Sequence, residues 1–482
     1  MTTQNQRSKS RRTKKSRKAS LAADKARADR QDLKLQQLTE KRRIREIEQR
    51  KYAAEGTSFF AVETDVRKEV RDAGHLRLLE KLSGFGTGFE GNSRVCPKCG
   101  AQQHFKGNVD RTIYTEFGEI PLKRAYYVCP KCGHGCYPLD EKLGLREGEL
   151  QGKLREIATM QSILMPYESS NAALKRIYDQ DIDPKTLQRL VDREGEETLA
   201  EDHEEERQMS LETTEGGAKT QEAVAAATAP ARLYLGVDGI MTPTRETRRD
   251  DQDQGHREAK VLRIFADEDR VEVSRDRREI LKGDMAGRVC NATEFRAMVH
   301  CRFVKAGGHT AKEVIGLGDG APWVWNTIGE VAPTAIQILD FMHLMGYIND
   351  AVVAGYGEDE KPRHEFADRM ATALKESQID FVLRKLESLP SRKKADREVI
   401  ERTVQYIIDN RGRMDYKTYR AKGYDIGSGT IESTGKRLVG QRLKGCGMRW
   451  NRESANAMIA IRSRWYTNRW DASWSAPRAL AA

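Results

Sequence analysis

No stretch of this 482-residue chain approaches the roughly 20 consecutive apolar residues that a membrane-spanning helix needs. Its basic N-terminus is not followed by an apolar signal core, so a cytoplasmic protein is expected. Cysteine is scarce: 8 residues are too few for a disulfide scaffold of this length. Four of them fall in two Cys-x-x-Cys pairs, which in a reducing compartment points to metal, with zinc the expected ion. Aromatic residues make up only 7% and hydrophobic residues 38%, enough for several modest cores, and the length predicts about three domains rather than one. No fixed-period repeat occurs, so solenoids and propellers are unsupported.

Charge is abundant. With 84 Lys+Arg against 73 Asp+Glu the net charge is +11, which points to a polyanionic partner such as nucleic acid. Residues 1–55 read as a basic disordered arm, carrying Arg7, Lys9, Arg11, Arg12, Lys14, Lys15, Arg17 and Lys18 near its start, followed by a marginal helix. Residues 56–94 continue as a helical segment that ends in a glycine-rich linker. In 95–140, Cys96-Pro97-Lys98-Cys99-Gly100 and Cys129-Pro130-Lys131-Cys132-Gly133 are near copies, each placing two thiolates on a tight turn. Four thiolates close a structural site, and strand-like Thr112–Tyr114 and Ala125–Val128 between them fit a β-rich zinc ribbon. Spacing alone leaves His134 and Cys136 open as substitutes for Cys132, while Cys290, Cys301 and Cys446 read as reduced, non-ligating thiols.

Residues 149–196 show helical spacing in three short runs, the third opened by Asp183-Pro184, a plan that fits either a helix-turn-helix or an ordinary three-helix bundle. The acidic and Ala-rich stretch 197–231 reads as a linker. Beyond it come apolar strands, Leu233–Val237, Val261–Phe265, Val314–Leu317 and Ala335–Leu339, then a helical block at about 355–420 that reads as an insertion in a mixed α/β domain spanning 232–465. Residues 466–482 remain as a tail.

Three of those strands end alike, in Val237-Asp238-Gly239, Gly318-Asp319-Gly320 and Leu339-Asp340. In open α/β sheets the strand ends line the functional crevice, and carboxylates gathered there suit a hard divalent ion such as Mg²⁺ or Mn²⁺. Any one aspartate alone reads as structural, since Asp-Gly is a common turn pair; repetition at successive strand ends is what raises the functional reading. A fourth acid, Glu432 in Gly427-Ser428-Gly429-Thr430-Ile431-Glu432-Ser433, precedes a basic, acid-free stretch with Lys436, Arg437, Arg442, Lys444, Arg449 and Arg452. Ser428 and Thr430 are candidate helix caps there. The structural alternative for Glu432 is an ion pair with Lys436, worth about 0.3–0.5 kcal/mol.

Together with Asp340-Phe341-Met342-His343 and Gln441-Arg442-Leu443-Lys444-Gly445-Cys446-Gly447-Met448-Arg449-Trp450, these motifs resemble, in the same order, those of the DDE transposases of bacterial insertion sequences, most closely the ISKra group. The resemblance spans about residues 95–465. It implies an RNase H-like core with an all-helical insertion before the glutamate, in which Asp238, Asp319 and Glu432 form the catalytic, metal-binding triad with two Mg²⁺ or Mn²⁺ ions. Asp340 and His343 resemble the Asp-x-x-His signature of Mutator-like enzymes and are accessory candidates. Lys436, Arg437, Arg442, Lys444, Arg449 and Trp450 are the expected DNA contacts, although core packing is the preferred reading for Trp450, Trp323 and Trp325. The implied partners are double-stranded DNA, as element ends and target, and a second copy of the chain, in a nucleoid-associated cytoplasmic setting. The competing expectations are a non-catalytic DNA-binding regulator and a different RNase H-like nuclease.

Overall fold

The computed structural model describes residues 58–215, 229–245, 255–274, 277–357, 360–391, 393–427 and 429–475. The basic arm, Ser428 and the chain after Ser475 lie outside the described residues. The described chain divides into two units, one ending at Gly86 and one running from Thr87 onward. The first contains α1 (Phe59–Ser83), whose N-cap Ser58 accepts a hydrogen bond from the amide of Ala61.

The second unit opens with an antiparallel sheet of β1 (Ser93–Val95), β2 (Gln102–Thr115), β3 (Gly118–Val128) and β4 (Gly135–Cys136), paired in that order. Helix α2 (Pro138–Leu143) packs against it. Three helices follow, α3 (Gly152–Leu164), α4 (Tyr167–Tyr178) and α5 (Pro184–Glu215), closed round Leu154, Ala158, Leu174, Leu187 and Leu190. Asp183 opens α5 as expected, its carboxylate accepting from the amide of Lys185 at 2.8 Å. Sheet and helices are tied together: the amide of Tyr114 donates to the Glu149 carbonyl at 2.9 Å, and Gln151 donates back to the Tyr114 carbonyl at 3.0 Å.

Helix α5 corrects the expected boundary. The acidic run does not link two domains; through Glu215 it belongs to one 32-residue helix. The reason is complementary charge. Glu194 meets Arg155 at 2.5 Å, Asp202 meets Arg302 at 2.7 Å and Arg464 at 2.8 Å, and Glu206 meets Arg288 at 2.9 Å. Spacings of eight and four residues, close to whole turns of the helix, place these acids near one helix face, and their neutralised charges let that face pack.

The largest sheet has five strands in the order β11-β10-β5-β6-β9, formed by β5 (Arg232–Pro243), β6 (His256–Ala266), β9 (Asp284–Val289), β10 (Glu313–Gly318) and β11 (Ile336–Leu339). β5, β6 and β9 pair antiparallel in succession, whereas β10 and β11 run parallel to β5. The four expected strands are all present; β9 joins them without having been expected. A separate hairpin joins β7 (Arg270–Ser274) to β8 (Arg277–Ile280).

Helices α6 (Ala292–Lys305) and α7 (Pro322–Val331) flank the sheet. α8 (Phe341–Tyr356), α9 (Glu360–Lys375), α10 (Ile379–Glu387), α11 (Lys394–Asn410) and α12 (Tyr416–Ala421) form the helical block, sharing one core with the sheet through Ile348, Leu374, Val382 and Ile407. The chain then returns to the sheet through α13 (Gly429–Gly435), a π-turn at Lys436–Gly440, and α14 (Gln441–Leu443). α15 (Arg452–Tyr466) and α16 (Trp470–Ser475) finish it. The expected tail is therefore folded as far as Ser475, with Trp470 buried and its indole N–H donating to Glu156 at 3.2 Å. No helix among the described residues is long and apolar enough to cross a membrane.

Candidate catalytic site and metal centre

Register decides where the aspartates stand. Leu317 of β10 pairs with Gly236 of β5, and Gly318 pairs with Leu339 of β11. Carried on to Asp319, that register sets it level with Asp238 on one side and Asp340 on the other. Three carboxylates thus form a row across adjacent strands, whose usual separation is about 4.8 Å.

Electrostatics agrees with the row. The Asp238 carboxyl is pushed up to about 6, first by burial and then by the charges of Asp319 and Asp340; the amide of Gly239 and the imidazole of His343 pull the other way. That amide donates to Asp238 Oδ1 at 2.7 Å. Asp319 Oδ1 accepts from the amide of Ala321 at 3.0 Å. Asp340 is 4% exposed and caps α8, accepting from the amides of Met342 at 2.6 Å and His343 at 3.2 Å. His343 is exposed beside this row, so the accessory pair splits into a buried cap and a solvent-facing imidazole.

Glu432 stands on another element. On β5, residues 236, 238 and 240 share one face. Helix α13 lies on that face, with Ile431 over Gly236 and Gly435 against Ile240. Thr430, Ser433 and Arg437 line a cleft with Arg263 of β6 and Met285 of β9, and Glu432 does not line it. Its carboxylate is exposed and paired with Lys436 at 2.8 Å. The local ion pair expected as the structural alternative is therefore present, and the structure does not draw Glu432 into contact with the aspartate row.

Tyrosines of the helical block complete the surroundings. Tyr406 of α11 donates its hydroxyl to the Asp319 carbonyl at 2.5 Å. It stacks on Tyr347 of α8 with centroids 4.1 Å apart, and His343 lies edge-on to Tyr347 at 5.5 Å. Gly320, at φ +97°, leaves no room for a side chain, because a Cβ would meet the Tyr406 hydroxyl at 2.6 Å. Tyr347 and Tyr406 are not legible in the sequence as neighbours of the aspartates, since nothing in helical periodicity separates them from ordinary core aromatics.

The basic segment divides by exposure. Lys436, Arg437, Lys444 and Arg449 are exposed. Arg442 is 2% exposed; its Nε donates to the Ser162 carbonyl at 2.9 Å, and its guanidinium lies 4.6 Å from the Tyr167 ring and 5.1 Å from that of Trp450. Trp450 is buried too, its indole donating to the Leu443 carbonyl at 3.2 Å. The expectation that these two contact DNA is corrected: they hold α14 against α3. Trp325 is likewise a core residue, donating to Asn410 at 3.1 Å.

The cysteine site is the most compact. Cys96, Cys99, Cys129 and Cys132 place their sulfurs within 4.8 Å of one another, and among the described residues this is the group of three or more ligating side chains that does so. Cys96 and Cys132 are 3.7 Å apart and Cys99 and Cys129 3.6 Å. A tetrahedron with bonds of about 2.3 Å has edges of about 3.8 Å, so the four sulfurs fit one metal ion such as zinc. Cys136 instead donates to the side chain of Gln103 at 3.1 Å, and the His134 carbonyl accepts from the Cys129 amide at 2.9 Å. The alternatives to Cys132 therefore fall away. A scan of protein-family models gave no match to this chain, and a search of curated proteins found no relative.

Proposed function

We propose that the chain is a DNA transposase with an RNase H-like core that cuts the ends of an insertion element and joins them to target DNA. The observation that carries the reading is the aspartate row: Asp238 on the central strand of a sheet of three antiparallel and two parallel strands, level with Asp319 at the end of its parallel neighbour. Glu432 returns on a helix laid over the same face, after the helical block.

Asp238, Asp319 and Glu432 would hold the divalent ions, with Glu432 exchanging Lys436 for metal. Such ions supply activation of the attacking oxygen and stabilisation of the leaving one in phosphodiester displacement. The protein's own part is positioning: Tyr406 and Gly320 fix the Asp319 turn, and the Asp340 cap fixes α8 and with it His343. Exposed Lys436, Arg437, Lys444 and Arg449 would neutralise backbone phosphates. Zinc at the four cysteines would close a ribbon that, with α3–α5 as a helix-turn-helix-like reader, recognises the element's ends.

The test incubates purified protein with a labelled element-end duplex, target DNA and Mg²⁺, comparing wild type with Asp238→Asn and Glu432→Gln. Strand-transfer product from wild type alone is expected. Cleavage without joining would favour a different nuclease, and binding without either reaction in Mg²⁺ or Mn²⁺ would favour a regulator.

A further inference from the structure

A second site lies beside α13. A cleft of about 650 Å³ opens between α13, the β6–β9 edge and the segment leading from Tyr424 to Gly427. Arg263 lines it from β6. The residue as a whole is only 6% exposed, and its side chain makes no hydrogen bond among the described residues, so its guanidinium has only the cleft to face. Buried guanidinium groups ordinarily have several partners, because burying a charge without them is costly.

The surroundings sharpen the anomaly. Arg437, exposed on the same cleft, is close enough for its charge to act on Arg263, and burial together with that repulsion brings Arg263 down to about 10. Thr430 also lines the cleft, and its hydroxyl is shielded from solvent with no hydrogen-bond partner among the described residues. Ser433 adds a second hydroxyl. Two acids border the space. Asp425 is held by Arg270 at 2.7 Å, and Glu279 approaches from β8. Asp284 and Asp269 act on Arg263 through charge without hydrogen-bonding to it. Two arginines and two hydroxyl-bearing residues that line one cleft make a set that an oxyanion completes. Planar forks match the paired oxygens of phosphate, and charge-assisted hydrogen bonds are the strong ones.

The geometry points to a phosphate-binding site formed by Arg263, Arg437, Thr430 and Ser433, none of them a member of the aspartate row. The site takes a phosphate group, either as free phosphate or as part of a nucleic-acid backbone. It does not depend on the transposase reading, although a backbone phosphate held there would place DNA across the helix that carries Glu432.

The test titrates the full-length protein with inorganic phosphate, following binding by calorimetry and by a phosphate-dependent rise in melting temperature, with chloride at equal ionic strength as control. Saturable binding to one site is expected. Arg437→Gln changes an exposed side chain, so folding is not at issue, and it is expected to weaken phosphate binding about tenfold or more. Arg263→Lys keeps the charge but not the fork and is expected to weaken it comparably; Thr430→Val should weaken it less. Phosphate that binds wild type and Arg437→Gln equally, or no saturable binding in wild type, would overturn the proposal. Competition separates the two sources: phosphate that displaces a duplex from wild type but not from Arg263→Lys identifies a backbone phosphate, whereas binding without displacement identifies a free anion. Absence of strand transfer from wild type with phosphate binding intact would count against the transposase reading and leave this site standing.

Discussion

Burial and the charges of Asp319 and Asp340 hold the Asp238 carboxyl at about 6, well above an ordinary aspartate. A carboxyl raised on folding costs stability once it ionises. That cost is absent below the unfolded value near 4 and is fully developed above about 6. Asp238→Asn should therefore stabilise the metal-free protein by roughly 1–3 kcal/mol at pH 7.5 and by almost nothing at pH 4. Denaturant unfolding at both values checks it, and a variant whose advantage does not change with pH would refute the electrostatic account. Protons and cations compete for the same oxygens, so Mg²⁺ at the proposed site should bind more weakly as the pH drops below about 6. At this scale the aspartates were legible because apolar runs deliver them to strand ends, where ionised groups need a reason. The fates of Arg442 and Trp450 were not, because a basic, acid-free segment looks the same whether a given arginine faces solvent or carbonyls such as that of Ser162. Arg263 was invisible for the converse reason: within Val261-Leu262-Arg263-Ile264-Phe265 it reads as the solvent face of an ordinary strand.

Helix α5 shows how an element can be misread from composition. Its acids suggested a solvated linker, and only the arginines on other elements make it a packed helix. Gly195 marks its closest approach to α15, since a Cβ there would run into Ala457, including that residue's backbone. In an exposed helix Gly→Ala gains about 1 kcal/mol from propensity. Here the added methyl must push two helix backbones apart, and overpacking of this kind costs about 1–3 kcal/mol. The net effect of Gly195→Ala should be destabilising, and a higher melting temperature for the variant would show that the crossing is looser than the contact implies. The cysteine sheet is the opposite case, an element whose four clustered thiols were legible in the sequence because two near-identical knuckles each hold a pair on a tight turn. Cys99→Ser should lose stoichiometric zinc by atomic absorption and make the region around residues 93–136 protease-sensitive. A variant that retains one equivalent of zinc would show that the site does not need all four thiolates.

For the unit running from Thr87 onward, α5 is the tie between the helical module and the five-stranded sheet, and Asp202 is its key contact. The carboxylate is 7% exposed and is shared by Arg302 of α6 and Arg464 of α15. Burial works against its ionised form, yet Arg302, Arg464 and Arg469 outweigh burial and hold its pKa below the ordinary value. A depressed carboxyl stabilises the fold above its unfolded pKa near 4, and that contribution is lost as the pH falls through the folded value. Removing one partner of a buried pair leaves an uncompensated charge and typically costs about 3–5 kcal/mol. Asp202→Asn is therefore expected to lower stability by roughly that amount at pH 7 and to flatten its decline in acid. Because α5 packs on both the three-helix core and α15, the loss should not be local: amides in α3 and in β6 should lose hydrogen-exchange protection together. If protection falls around α3 alone while β6 keeps its own, the helical module and the sheet open independently, and the acidic run acts as the linker that its composition suggests.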